Sequence, residues 1–181
     1  MNLGFDFDKI FINYPPFIPG ALIDRLYKNK TNGMLSYRIP SKLEQRFRLI
    51  THYPIFRPAI LENIQFIKNV SKQNSHKYYL ISSRFSFLKD TTNTLIKKYQ
   101  LDDIFHTMHF NFENRQPHVF KEDIIKKLNV HRYVDDDLAL LKFLLSKNKK
   151  TIFFWLNNKR EEKLGKNLFA VTKLSDMLKN K

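Results

Sequence analysis

Two carboxylates, Asp6 and Asp8, stand one residue apart where the short apolar run Leu3-Gly4-Phe5 ends. In an extended chain successive side chains alternate, so both project to the same side and their charges converge. Such a pair repels itself unless something cationic sits between its members. Other polar groups share this position at the ends of apolar runs. Ser82 and Ser83 follow Tyr78-Tyr79-Leu80-Ile81, Asp135-Asp136-Asp137 follow Tyr133-Val134, and Lys121 opens a helical pattern carried by Ile124, Ile125 and Leu128. Each has an ordinary structural use by itself: Ser82 or Asp137 caps the next helix, and a lysine at a helix start is solvated. His106, His109 and His118 match no compact metal-ligand spacing and read as strand and loop residues.

The elements that must position these groups follow from periodicity. Strands are expected at Leu3–Phe5, Lys77–Ser82, Ile104–Phe110, Tyr133–Val134, Ile152–Leu156 and Leu168–Val171. Helical stripes lie between them: Ile60, Ile64 and Ile67; Leu88, Leu95, Ile96 and Tyr99; Leu138, Leu141 and Leu145; and a terminal helix near Ser175–Leu178. Pro15, Pro16, Pro19 and Gly20 mark an exit from the core. The segment that follows reads as helical, with Ala21, Leu22, Leu26 and Tyr27 on one face until Lys30-Thr31-Asn32-Gly33 breaks the pattern. A second helix is signalled by Ser41 and Glu44, spaced as a capping box, with Leu43, Phe47 and Ile50 on one face and Arg46 and Arg48 off it as a solvated face. Tyr53-Pro54 closes this insertion and Arg57-Pro58 opens the next helix.

Strands alternating with helices of this length specify α/β architecture, a Rossmann-like open parallel sheet with helices on both faces and a small helical cap insertion. Residues 1–13 and 55–181 are expected to form the core domain and residues 14–54 the insertion. In such sheets ligands bind beyond the carboxyl ends of the strands, which is where Asp6, Asp8, Ser82 and Asp135 to Asp137 fall, with Lys121 nearby.

Composition narrows the partners. A chain of 181 residues, 43% hydrophobic and 14% aromatic, suffices for one well-buried core. The net charge of +15 attracts anions, whether phosphorylated metabolites or nucleic acid, although Lys and Asn recur along the whole chain. There is no cysteine, so disulfides and thiolate metal sites are excluded. No apolar stretch approaches the roughly 20 residues of a membrane-spanning helix, and Met1-Asn2 runs into the first strand without a secretory pattern, so a cytoplasmic location is expected.

Taken in order, Asp6-Phe7-Asp8, Ser82 at a strand end, Lys121 and Asp135-Asp136 resemble the four motifs of the haloacid dehalogenase-like phosphohydrolases, over nearly the whole chain. The insertion sits where that family places its first type of cap. The resemblance implies Mg²⁺-dependent phosphoryl transfer through an aspartyl-phosphate. Asp6 is then the nucleophile and Asp8 the general acid and base, its pKa raised by its ionised neighbour. Ser82, with Ser83 as its competitor, and Lys121 bind the phosphoryl oxygens. Asp136 and Asp135, with Asp6 and Asp8, hold the metal. Lys9 departs from the glycine common in the family, and Ile10 from its threonine or valine, yet no reacting group is lost. The implied substrate is a small phosphomonoester. Nucleotide or nucleic-acid-end phosphatase activity is the alternative, motivated by the charge and by Arg38, Lys42, Arg46 and Arg48; a catalytically inactive basic binding module is a third.

Overall fold

A computed structural model describes residues 1–16, 28–31, 34–73, 75–157 and 162–179. The helix expected around Ala21 to Tyr27 lies outside the described residues. Seven strands form one sheet in the order β5-β4-β1-β6-β7-β9-β8, where β1 is Asn2–Phe5, β4 Lys77–Ser82, β5 Thr107–Phe110, β6 Arg132–Asp135, β7 Ile152–Leu156, β8 Glu162–Gly165 and β9 Leu168–Val171. Every pairing is parallel except β8 with β9, which is antiparallel. The sequence reading has a polar run where β8 lies. Its residues Glu162 and Lys163 are exposed, so apolar alternation is weak there and pairing with β9 supplies the order.

Successive residues of each central strand divide between two cores. Tyr78, Leu80, Val134, Phe154 and Phe169 join one core with Ile64 and Ile67 of α2 (Leu61–Ser71) and Leu95 and Ile96 of α3 (Lys89–Lys98). Tyr79, Ile81, Tyr133, Phe153 and Leu168 join the other with Ile125 of α4 (Pro117–Lys127) and Leu140, Leu141 and Leu144 of α5 (Leu138–Lys147). Strands buried on both faces read as continuous apolar runs, and this sheet is covered on both sides as its sequence requires. A short 3₁₀ segment, Leu174–Leu178, stands where the terminal helix was expected. No helix among the described residues is long and apolar enough to cross a membrane.

The insertion is held at its two ends. Asn13 N donates to Pro58 O at 2.8 Å and Ile60 N to Phe11 O at 2.8 Å, so outgoing and returning chains pair. Pro58 is thus a pairing residue, and α2 starts at Leu61, three residues later than the proline suggested. Within the insertion β2 (Lys28–Thr31) and β3 (Met34–Tyr37) form an antiparallel ribbon, and α1 (Lys42–Thr51) follows with the expected capping box on Ser41 and Glu44. The orientation of α1 is the reverse of its pattern. Leu43, Phe47 and Ile50 are 76%, 58% and 63% exposed, whereas Arg48 is buried.

Candidate active site

Three strand ends, those of β1, β4 and β6, and the helix α4 converge on a crevice of about 140 Å³ at the carboxyl edge of the sheet, lined by Asp6, Asp8, Ser82, Ser83, Lys121, Asp135 and Asp136 among others. Asp6 N donates to Val134 O at 3.0 Å, which extends the β1–β6 ladder by one residue and sets Asp6 beside Asp135. The carboxylates of Asp6, Asp135 and Asp136 offer oxygens within 4.8 Å of one another. Lys121 sits in the second turn of α4, not at its start, on the same buried face as Phe120 and Ile125. Its Nζ donates to Asp6 Oδ1 at 2.9 Å and to Asp135 Oδ2 at 2.6 Å.

Charge in this corner is unbalanced toward the negative. Burial pushes Asp6 up and Lys121 opposes it, but Asp135, Asp8 and Asp136 add repulsion, so Asp6 stays well above the usual carboxylate range. Burial and Asp135 push Asp136 up to about 7, with Lys9 at 3.4 Å acting against them. Burial works against the charge on Lys121, yet Asp135 and Asp6 outweigh it and keep it protonated. Three hard oxygen donors in excess of their cations are the donor set that suits a small divalent ion such as Mg²⁺.

Asp135 is the most constrained of the three. Tyr133 Oη donates to its Oδ2 at 3.0 Å and the Asp137 backbone N–H to its Oδ1 at 3.0 Å. Gly4 makes room for that tyrosine: a β-carbon there would lie 2.8 Å from Tyr133 Cδ2. Asp137 caps α5, accepting from the backbone of Ala139 and Leu140 as its position suggested. Lys9 adopts φ 57°, a left-handed conformation that residues with a β-carbon rarely hold.

Asp8 departs from expectation on two counts. Its carboxylate accepts from Arg84 Nε at 2.9 Å and Arg84 Nη2 at 2.8 Å, and also from Arg57 Nη2. Burial alone would raise its pKa, but Arg84 and Arg57 outweigh burial and hold it far below the usual carboxylate range, so the raised pKa expected from repulsion by Asp6 is corrected. Nor is Asp8 in the carboxylate cluster, since both its oxygens face guanidiniums. Ser82 is buried at the end of β4, and the Ser83 hydroxyl is buried without a hydrogen-bond partner among the described residues, so both remain at the crevice wall.

No protein-family model and no curated protein sequence matches the chain. Among solved structures, a haloacid dehalogenase-like family hydrolase from Xanthomonas campestris is similar over 92% of this chain and 88% of its own, with a TM-score of 0.57 and 11% identity. A HAD-superfamily hydrolase from Ehrlichia chaffeensis is similar over 97% and 93%, with a TM-score of 0.56 and 10% identity. The fold is that of the haloacid dehalogenase-like hydrolases. A chain of the Pnkp1/Rnl/Hen1 RNA repair complex also matches, at a TM-score of 0.51 and 15% identity over 86% of this chain, which spans 42% of that one.

On this haloacid dehalogenase-like frame the insertion adds groups that the motifs do not reveal. Tyr37 at the end of β3 is bound on three sides. Its N–H donates to Gln116 Oε1 at 3.1 Å, its carbonyl accepts from Gln116 Nε2 at 3.1 Å, and its Oη donates to Asp137 Oδ2 at 2.8 Å. These bonds dock the ribbon onto the start of α4 and bring Tyr37, Arg38, Arg48 and His52 to the crevice wall. Arg57, fully buried, ties the returning chain to Asp8 and lies 5.2 Å from the Tyr14 ring centre. His106 and His109 are absent from the crevice lining, and none of His106, His109 and His118 joins the carboxylate cluster.

Proposed function

We propose that the chain is a Mg²⁺-dependent phosphomonoesterase that transfers the phosphoryl group of a small substrate to Asp6 and then to water. The observation that carries this reading is Lys121, buried between Asp6 and Asp135 with Asp136 completing the carboxylate cluster. Lys121 offsets the repulsion that makes a carboxylate a poor nucleophile toward an anionic phosphate. Asp6, Asp135 and Asp136 would hold Mg²⁺, which when bound neutralises phosphoryl charge and orients the group. Ser82 or Ser83 and Lys121 are the donors for the transferring oxygens.

The carboxylate of Asp6 forms a bond to phosphorus while the ester oxygen leaves and takes up a proton. Water then attacks phosphorus, loses a proton and releases orthophosphate, which regenerates Asp6. Asp8, ionised as Arg57 and Arg84 hold it, suits the second half, where a carboxylate accepts the proton from water. In the first half the proton on the leaving oxygen comes from Asp8 only when Arg84 and Arg57 release its carboxylate to be protonated, and otherwise from solvent. The residues around position 14–54 serve in this reading as the cover that selects the leaving group.

The reading is tested with purified protein, Mg²⁺ and a panel of phosphomonoesters. Turnover is expected with Mg²⁺, loss with excess EDTA and loss in Asp136→Ala; full activity in EDTA would exclude it. A second reading, a phosphatase of nucleotide or nucleic-acid ends, is favoured by the likeness to the RNA repair complex chain and by the arginines in the crevice wall. A preference for phosphorylated oligonucleotides over small esters, steeply weakened by salt, is its expected signature.

A further inference from the structure

The edge of the sheet opposite the crevice concentrates positive charge. There β6, β7 and β9 begin, and the segments that lead into them, 126–131, 146–151 and 165–167, hold six lysines in fifteen residues and no carboxylate. The whole chain has 32 lysines and arginines in 181 residues, less than half that density, so the general richness in lysine does not by itself produce this run. Lys126 is paired with Glu122 within its own helix. Lys127, Lys147, Lys149, Lys150 and Lys166 are exposed and have no ion pair among the described residues.

Hydrogen bonds fix the three segments side by side. Ile152 N donates to His131 O and Thr151 Oγ1 to Val130 O, both at 2.8 Å. Phe153 N donates to Asn167 O at 2.8 Å, and Asn167 Nδ2 to Lys149 O at 2.7 Å. Neighbouring strands lie about 4.8 Å apart, so the lysines are distributed over roughly 10 Å of fixed backbone and farther at their tips. His131 adds a donor: its Nδ1 accepts from Asn2 N at 3.0 Å, so the ring of this exposed residue carries its proton on Nε2.

Part of the charge has an ordinary structural use. Lys127 and Lys147 end α4 and α5, where cations offset the helix dipole. Lys149 and Lys150 lie beyond the Asn148 that closes α5, and Lys166 lies in the turn between β8 and β9, so no helix end needs them. The neighbourhood also narrows the ligand. None of the large exposed apolar side chains belongs to these segments, so nothing there enters a bilayer, and they contain no Phe, Tyr or Trp on which a base could stack. What remains is recognition of phosphate charge alone.

We propose that this edge binds the phosphate backbone of a nucleic acid, without base preference, at a place separate from the crevice. Each strand of a duplex carries one charge per about 3.4 Å, and a row of cations on a rigid edge meets such a run of phosphates better than it meets one compact anion. The site does not depend on the chemistry proposed for Asp6, and its test leaves the crevice out.

The test is fluorescence anisotropy with an internally labelled single-stranded RNA of about 20 nucleotides, hydroxyl groups at both ends, in EDTA, titrated at salt concentrations from about 50 to 200 mM. Wild type is compared with Lys149→Gln/Lys150→Gln/Lys166→Gln and with a control, Lys42→Gln/Lys89→Gln/Lys173→Gln, whose lysines are exposed on other elements. Each triple variant lowers the net charge of +15 by three, so the two differ only in where charge is removed. Each phosphate contact on a single strand contributes about 0.7 to the slope of log K against log salt, so the edge variant should lose about 2 from that slope and bind at least about tenfold more weakly at about 100 mM salt. The control should stay within about threefold of wild type, with its slope changed by less than one contact. Absence of saturable binding by wild type at about 50 mM salt, or equal losses in the two variants, overturns the proposal, the latter by assigning the affinity to net charge. Binding to phosphatidylserine vesicles without binding to the RNA overturns it in favour of a lipid surface.

Discussion

Replacing Lys121 with methionine keeps the volume of the side chain and deletes an ammonium that touches both Asp6 and Asp135. In the wild type Nζ lies 2.9 Å from Asp6 and 2.6 Å from Asp135, all three groups are buried, and Asp136 adds a third carboxylate within reach. Removing one partner of a buried pair leaves the other charge uncompensated, a change that costs about 3–5 kcal/mol. For a chain of this length each kcal/mol shifts Tm by about 2–4 °C, so Lys121→Met in EDTA should melt about 6–20 °C below wild type. The assay is thermal unfolding by circular dichroism, repeated in Asp135→Asn and in the double variant. Because the loss comes from stranded carboxylates, Lys121→Met/Asp135→Asn should be less destabilised than the sum of the singles. Mg²⁺ should narrow the gap, since an ion bound only by the folded state stabilises it by mass action. A Lys121→Met protein within about 1 kcal/mol of wild type in EDTA, with additive double-variant effects, would refute the compensating role given to Nζ.

Three further outcomes follow from single residues. His52 is buried neutral, its pKa lowered by burial with Arg57 and Arg84 adding to it, so the unfolded chain binds a proton below about 6.5 that the folded chain refuses. Stability should therefore be intact above that pH and fall as pH drops through it, and His52→Gln should flatten the slope in urea titrations between about pH 7 and 5. Gly4→Ala forces a β-carbon against Tyr133 Cδ2 at 2.8 Å; it should cost about 1–3 kcal/mol by denaturant titration, and activity should fall with it as Tyr133 is pushed off Asp135. Lys9→Gly relieves the left-handed φ of 57° but removes the partner of Asp136, so Mg²⁺ should stabilise this variant more than wild type.

The core was legible because its signals are local. Continuous apolar runs such as Tyr78 to Ile81 mark strands buried on both faces, and polar residues directly after such runs must emerge at the carboxyl edge, which is how Asp6, Ser82 and Asp135 could be assigned to one crevice. The insertion was not legible, since its order depends on long-range partners. Tyr37 is fixed by Gln116 and Asp137, 79 and 100 residues away, and nothing near Met34 to Tyr37 announces them. The face of α1 was misread for a related reason: periodicity finds the apolar stripe but not what it faces, and here the crevice takes Arg48 while the stripe meets solvent. The Asp8 clamp escaped too. Arg57-Pro58 looks like a helix start, and only the pairing of Asn13 with Pro58 shows that the chain returns past the site there. Arg84, two residues after Ser82, was the available signal.

The central claim is that Asp6 is phosphorylated in each turnover, and a chemical quench tests it most directly. Wild-type protein with Mg²⁺ and a turned-over phosphomonoester is quenched in acid within the first turnover and digested, and the peptide that contains Asp6 is examined by mass spectrometry. The account predicts a phosphoryl group on that peptide, discharged by neutral hydroxylamine as an acyl phosphate is, and absent from Asp6→Asn protein, which should also lack turnover. Sustained Mg²⁺-dependent turnover with no phosphoryl group on that peptide, and wild-type-like rates in Asp6→Asn, would contradict it.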